Sequence, residues 1–154
     1  TLDLFRRITK RTPVDTGRAR ASWDVKVGAP SEYAPPETKG SVAGTGKKGA
    51  AGLDGPPDQC ELNRPHGVTV HRDGTLYITE LGNADIRKLQ GGQVTTIAGD
   101  HTLGFRDSET LLTAQFYGLE GLAISADGRA LYVADGSRGN AGLPYHRVRI
   151  VRLP

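Results

Sequence analysis

Gly67-Val68-Thr69-Val70-His71-Arg72-Asp73-Gly74-Thr75-Leu76-Tyr77-Ile78 sets two short apolar runs around an Asp-Gly pair. The pattern returns as Gly121-Leu122-Ala123-Ile124, Asp127-Gly128 and Leu131-Tyr132-Val133. The offset is 54 residues, rising to 55 after one insertion near Ala130. Ile86-Arg87 has a counterpart in Val148-Arg149, and upstream Val42-Ala43-Gly44 matches Ile97-Ala98-Gly99 at an offset of 55. Each unit predicts an antiparallel hairpin: an alternating strand, an Asp-Gly turn that tolerates positive φ, and a second strand led by Leu-Tyr. An internal repeat of this kind points to short-stranded, turn-rich β units.

Outside the repeat the chain changes character twice. Residues 29–58 hold Pro30, Pro35, Pro36, Gly40, Gly44, Gly46, Gly49, Gly52, Gly55, Pro56 and Pro57, which predicts a linker, arm or long loop. Residues 1–28 read as a helix, a turn and a strand. Leu2, Leu4, Phe5 and Ile8 make an apolar face, Pro13 ends the helix, and Pro13-Val14-Asp15-Thr16-Gly17 supplies the turn into a strand, Ala19 to Val27, around Trp23. The expected division is therefore 1–28 as a helix-turn-strand core element, 29–58 as a Gly/Pro-rich linker or arm, and 59–154 as a β-hairpin repeat region. The fold class is mainly β with a short N-terminal helix (α+β). Antiparallel hairpins would form either incomplete propeller-like repeats or a small sheet with long loops.

Composition agrees. Of 154 residues, 21 are Gly and 9 are Pro, and 36% are hydrophobic, too few for a large helical bundle. No apolar run approaches the roughly 18–20 residues of a spanning helix, so no membrane partner is expected. One cysteine, Cys60, leaves no intramolecular disulfide and reads as a passive loop residue. The net charge of +3 is uneven, because residues 1–20 set Arg6, Arg7, Lys10, Arg11, Arg18 and Arg20 against Asp3 and Asp15.

Two resemblances follow from these strings. Arg64-Pro65-His66-Gly67-Val68, Asp73-Gly74-Thr75-Leu76-Tyr77-Ile78, Gly82-Asn83-Ala84-Asp85-Ile86-Arg87-Lys88-Leu89 and Val94-Thr95-Thr96-Ile97-Ala98-Gly99 resemble NHL-type β-propeller repeats. A second unit carries Leu131-Tyr132-Val133-Ala134-Asp135 and His146-Arg147-Val148-Arg149, so the likeness runs over residues 41–153. It departs at Glu80, where Asp is usual, and in an insert from Gly136 to Tyr145. Only about two blades are present, against the roughly 4–8 that close a propeller. The resemblance implies a non-catalytic module that binds protein or nucleic acid.

The N-terminal string, residues 5–28 with Arg11 to Trp23 at its heart, resembles the neck and tail-completion (minor tail) proteins of tailed bacteriophages. That resemblance implies a virion structural subunit, assembled in the host cytoplasm, that joins portal and tail as a homo-oligomeric ring. Its partners would be portal or connector and tail-tube proteins, with non-specific contact to DNA. The residues it marks for assembly contacts are Arg6, Arg7, Arg11, Pro13, Asp15, Gly17, Arg18, Arg20 and Trp23. This is the leading expectation, and the propeller-like binding module is the alternative.

Catalytic chemistry is not expected. His66, His71, His101 and His146 show no metal-ligand spacing, no Gly-x-Ser-x-Gly elbow is present, and no cofactor is implied. Asp54, Asp73, Asp127 and Asp135 all precede Gly and read as turn residues. Gly44-Thr45-Gly46-Lys47-Lys48-Gly49 lacks the order of a phosphate loop.

Overall fold

A computed structural model describes residues 42–140, 142 and 146–154. The expected N-terminal helix, the Pro13 turn and the strand around Trp23 lie outside the described residues, as do all nine assembly candidates, Arg6 through Trp23. Among the described residues the fold is mainly β, and its one helical element is a single 3-10 turn, Leu111–Thr113.

Seven strands form two antiparallel sheets. Sheet one is a meander of β1 (Pro65–Val70), β2 (Leu76–Glu80), β3 (Asp85–Gln90) and β4 (Gln93–Ala98). Sheet two repeats it with β5 (Leu119–Ile124), β6 (Ala130–Asp135) and β7 (Arg147–Arg152). The repeated Asp-Gly pairs make the first turn of each. Gly74 and Gly128 take φ of 89° and 76°, which costs a residue without Cβ little. Asp73 accepts the Thr75 amide, and Asp127 accepts the Arg129 amide. The inserted residue, Ala130, widens the second turn, and Ser125 Oγ accepts its amide and that of Arg129. Both sheets carry a register shift at the same place, Pro65/Gly67 in one and Leu119/Leu122 in the other.

The sheets stack face to face. Tyr77, Ile86 and Ala98 of sheet one close over Leu119, Leu131, Val133 and Val151 of sheet two, with Leu122 and Ile124 packed at the margin. Alternation along the strands gives each sheet one face for this core. The seam is tightest between β1 and β5. Thr79 Oγ1 accepts the Gly67 amide and donates to the Glu120 carbonyl at 2.6 Å, and a Cβ on Gly67 would lie 2.5 Å from that same oxygen.

The Gly/Pro-rich stretch does not stand apart from this architecture. Residues 42–62 fold as residues 97–117 do: Gly44 N donates to Pro57 O, Thr45 N to Cys60 O and Gly49 N to Leu62 O, while Gly99 N donates to Leu111 O, Asp100 N to Ala114 O and Gly104 N to Phe116 O. Parallel bridges Lys48–Leu62 and Leu103–Phe116 complete the likeness. Each sheet is thus preceded by its own loop. The first loop is tied onto β4 by an exchange of amide bonds between Gly55 and Val94.

Candidate binding site

Each sheet buries one ion pair, on the face that carries Leu76 and Ile78 in sheet one and Leu131 and Val133 in sheet two. In sheet two, Asp135 ends β6 and Arg149 lies diagonally across on β7, Nη1 3.0 Å from Asp135 Oδ2. In sheet one, Glu80 ends β2 and Arg87 lies diagonally across on β3, Nη1 2.9 Å from Glu80 Oε2. The Glu for Asp exchange seen in the sequence therefore keeps the pairing. Buried charges survive only when paired and hydrogen-bonded, and the two sheets differ in how fully they meet that demand.

Arg149 is saturated. It also donates to the carbonyls of Gln115 and Arg106 and to Asp107, and its guanidinium sits 4.5 Å from the Phe116 ring centroid. Asp135 in turn accepts the amides of Tyr117 and Gly118. Its place before Gly136 does not make it a turn residue; it pins the loop ahead of β5. Asp54 departs from the turn reading in the same way, accepting the amide and hydroxyl of Thr96 on β4.

Arg87 is not saturated. It is fully buried, its Nε and Nη2 have no hydrogen-bond partner, and Asp54 Oδ1 stands 3.7 Å from Nη2. Beside it lies a second buried acid, Asp85, where sheet two has Arg147. Neither carboxyl oxygen of Asp85 has an aligned hydrogen-bond donor, though His101 Nδ1 stands 3.1 Å from Oδ2. Burial first, and then the Glu80 charge, push the Asp85 carboxyl up to about 8 against the pull of Arg87. Glu80 is held by Asn83 and by the Asn63 amide, and Asn63 donates to Asn83.

Above this cluster the surface opens into a recess of about 400 Å³ lined by Leu53, Asp54, Thr96, Gly99, Asp100, His101 and Leu112. Two side chains of its wall, Asp54 and His101, reach the buried Arg87 and Asp85. His101 has a left-handed backbone, φ 63°, a conformation that costs a non-glycine residue about 1–3 kcal/mol. Its imidazole is partly exposed. The recess thus offers an imidazole, two carboxylates and a threonine between two leucines.

The other residues weighed in the sequence fall elsewhere. Cys60 is buried, with Sγ 3.2 Å from the Pro56 carbonyl, and burial raises its thiol. His71 pairs with Asp73 at the first turn, and among the described residues no three potential ligands gather around a metal position. The Gly44–Gly49 amides at both ends of that stretch serve internal bonds rather than a phosphate cradle.

No family model matches the chain. Over 84 residues, 53% of its length, it is 39% identical to Protein SUPPRESSOR OF QUENCHING 1, chloroplastic, of Arabidopsis thaliana. Among solved structures it is similar to a Bacteroides thetaiotaomicron protein of unknown function, at 26% identity and a TM-score of 0.53 over 58% of the chain. It is also similar to an auxiliary nutrient binding protein of that organism, at 23% identity and a TM-score of 0.50 over 58% of the chain. A candidate phosphatase from the same source matches 72% of the chain at 22% identity, with a TM-score of 0.56. The chain spans 8% of the plant protein and about a quarter of each bacterial one (23%, 24% and 26%).

These relatives overturn the resemblance to phage neck and tail-completion proteins, and with it the virion location and the structural role between portal and tail. The proteins that this chain resembles are a chloroplastic plant protein and Bacteroides proteins. The phage likeness rested on one unrepeated string of about 30 residues. A single turn-and-strand is a common local solution, whereas the 54-residue repeat constrains two sheets and the seam between them. The NHL-type likeness has no matching family model either.

Proposed function

We propose that the two sheets are successive blades of a propeller-type repeat, and that the chain is a non-catalytic binding module whose partner is a protein. The observation that carries this reading is the recess at Asp54, Thr96, Asp100 and His101, set on a rigid repeated scaffold over a buried, incompletely satisfied polar cluster. Pockets of a few convergent polar groups between apolar walls are the usual form of recognition sites. A similar fold occurs within a protein described as an auxiliary nutrient binding protein, which is in keeping with a binding role. A protein partner is favoured over nucleic acid by charge. Residues 42–154 hold twelve Lys and Arg against twelve Asp and Glu, so no cationic excess there follows a phosphate backbone.

Amide shifts of the isotope-labelled full chain, titrated with a pool of extended peptides, test this reading. Saturable shifts clustered at Asp54, Thr96, Asp100 and His101 are the expected result. A saturable response at those residues to a short single-stranded oligonucleotide, with none to peptides, would replace the protein partner. No response to either would remove the recess as a site.

A further inference from the structure

The repeat gives β1, β2 and β3 of sheet one equivalents in β5, β6 and β7 of sheet two, so the stack between them can be compared with the two faces it leaves open. Sheet one buries Tyr77 and Ile86 against sheet two, with 7% and 0% exposure. Their equivalents on the far side of sheet two, Tyr132 and Val148, are 45% and 72% exposed, and Ile150 beside them is 58% exposed. Sheet two answers sheet one with Leu122, Ile124, Leu131 and Val133. The equivalents of those residues are Val68, Val70, Leu76 and Ile78, on the far side of sheet one. Val68 and Val70 are 63% and 58% exposed, and a recess of about 270 Å³ opens beside Val68, Leu76, Ile78 and Leu62. The outer face of sheet two is therefore the kind of face that sheet one presents to its neighbour. The outer face of sheet one is the kind that receives it.

We propose that these two faces meet between copies: the outer face of sheet two docks on the outer face of sheet one of a second copy of this chain, continuing the internal stack head to tail. This inference rests on the blade reading above. Exposed, contiguous, apolar sheet faces mark interaction surfaces, and a second copy supplies both complementary surfaces at once. Such heterologous contacts close into rings when the rotation permits. Counting the two described sheets of each copy as blades, two to four copies would supply the roughly 4–8 blades of a closed propeller.

Gly121 sharpens the geometry. It is the equivalent of Gly67, whose missing Cβ lets the Glu120 carbonyl approach, yet among the described residues a Cβ on Gly121 would meet nothing within 4 Å. In the head-to-tail stack the second copy fills that space.

Sedimentation of the full chain over a concentration series tests the proposal. The unaltered chain is expected to form concentration-dependent oligomers, and Gly121→Val to lose them with its melting transition unchanged. Ile150→Lys and Val68→Lys should each sediment as monomers. Their equal mixture should recover a dimer and nothing larger, because each supplies the face that the other lacks. A chain monomeric at every concentration overturns the proposal. An oligomer indifferent to Val68→Lys and Ile150→Lys, or a mixture that stays monomeric, overturns it equally. Ile78 pairs with Arg87 and Arg87 with Thr96, so the recess at Asp54 and His101 opens on the receiving face of sheet one, at its β4 edge. Ile150→Lys alters only sheet two and leaves that face free, so peptide binding is read on this variant. An unaltered chain that is monomeric yet binds peptide removes only the stacking, and an oligomer whose Ile150→Lys monomer is blind to peptide removes only the binding reading.

Discussion

The two sheets hold the same buried pair and treat it differently. Around Arg149 each Nη makes two bonds, to a carboxylate on β6, two loop carbonyls and a second carboxylate, and an aromatic ring lies against the guanidinium. Around Arg87 one bond to Glu80 is made, two nitrogens are left over, and an additional acid, Asp85, is buried alongside. Satisfied networks fix a fold, while half-satisfied ones carry a cost in low dielectric. Sheet two uses its pair as a rivet that pins the loop before β5. Sheet one keeps the rivet position but leaves it open beneath a surface recess. A departure from good satisfaction at one of two equivalent places is where function is best sought.

The contrast can be broken most strongly at Arg149. Arg149→Met should lower stability by about 3–5 kcal/mol in urea unfolding, because it strands Asp135 in the interior. The same change at Arg87 removes one hydrogen bond and should fall toward the lower end of that range. If the two cost the same, the extra partners of Arg149 contribute nothing.

A second difference is in pH. Between the ordinary aspartate value of 3.8 and about 8, the folded chain holds a proton on Asp85 that the unfolded chain has released. Stability from this group therefore falls as pH rises through that window, with a slope of at most about 1.4 kcal/mol per pH unit. Asp85→Asn should flatten the slope and leave the variant more stable at pH 8. Melting temperatures at a series of pH values decide it, and an unchanged slope would mean that Asp85 is ionised in the fold.

The glycine pair gives a smaller contrast. Gly67→Ala should cost about 1–3 kcal/mol, since its Cβ would meet a backbone oxygen across the seam. Gly121→Ala should stay within about 0.5 kcal/mol, having no neighbour to meet among the described residues. Smallest in energy is Cys60. A thiol-labelling reagent should leave it unmodified in the folded chain and modify it on unfolding, because it is buried and its thiol is raised. Prompt labelling would show that the first loop opens.

Much of this architecture can be read from residues. The hairpins and their turns follow from period-two alternation and Asp-Gly pairs, and the stack follows from a repeat long enough to make two sheets. The loop before sheet one was harder to read. Only Val42-Ala43-Gly44 betrays its kinship with Ile97-Ala98-Gly99, because backbone amides and carbonyls, which leave little trace in side-chain identity, hold both loops. The site was less legible still. Glu80 stood out as a departure, and Arg87 and Arg149 stood out as counterparts. Their pairing depends on a diagonal register that sequence spacing alone does not specify. His101 carries no motif, and its position over Asp85 comes from a loop turning through a left-handed residue. The basic string that drew the functional expectation toward the N-terminus lies outside the described residues and bears on none of this.

The matching loops also decide where a repeat begins. Composition would place a cut at residue 59, where the prolines and glycines end and the alternating strands start. The hydrogen bonds place the start of each unit about fifteen residues earlier, at Gly44 and Gly99, with the loop travelling ahead of its own sheet. A chain opened at 59 would strip Gly55 from Val94 and Asp54 from Thr96 and Arg87, and bring the Cys60 thiol to water. Anyone dividing the protein to express or transplant one unit should carry the preceding loop with it, since what looks like spacer is the unit's own lid.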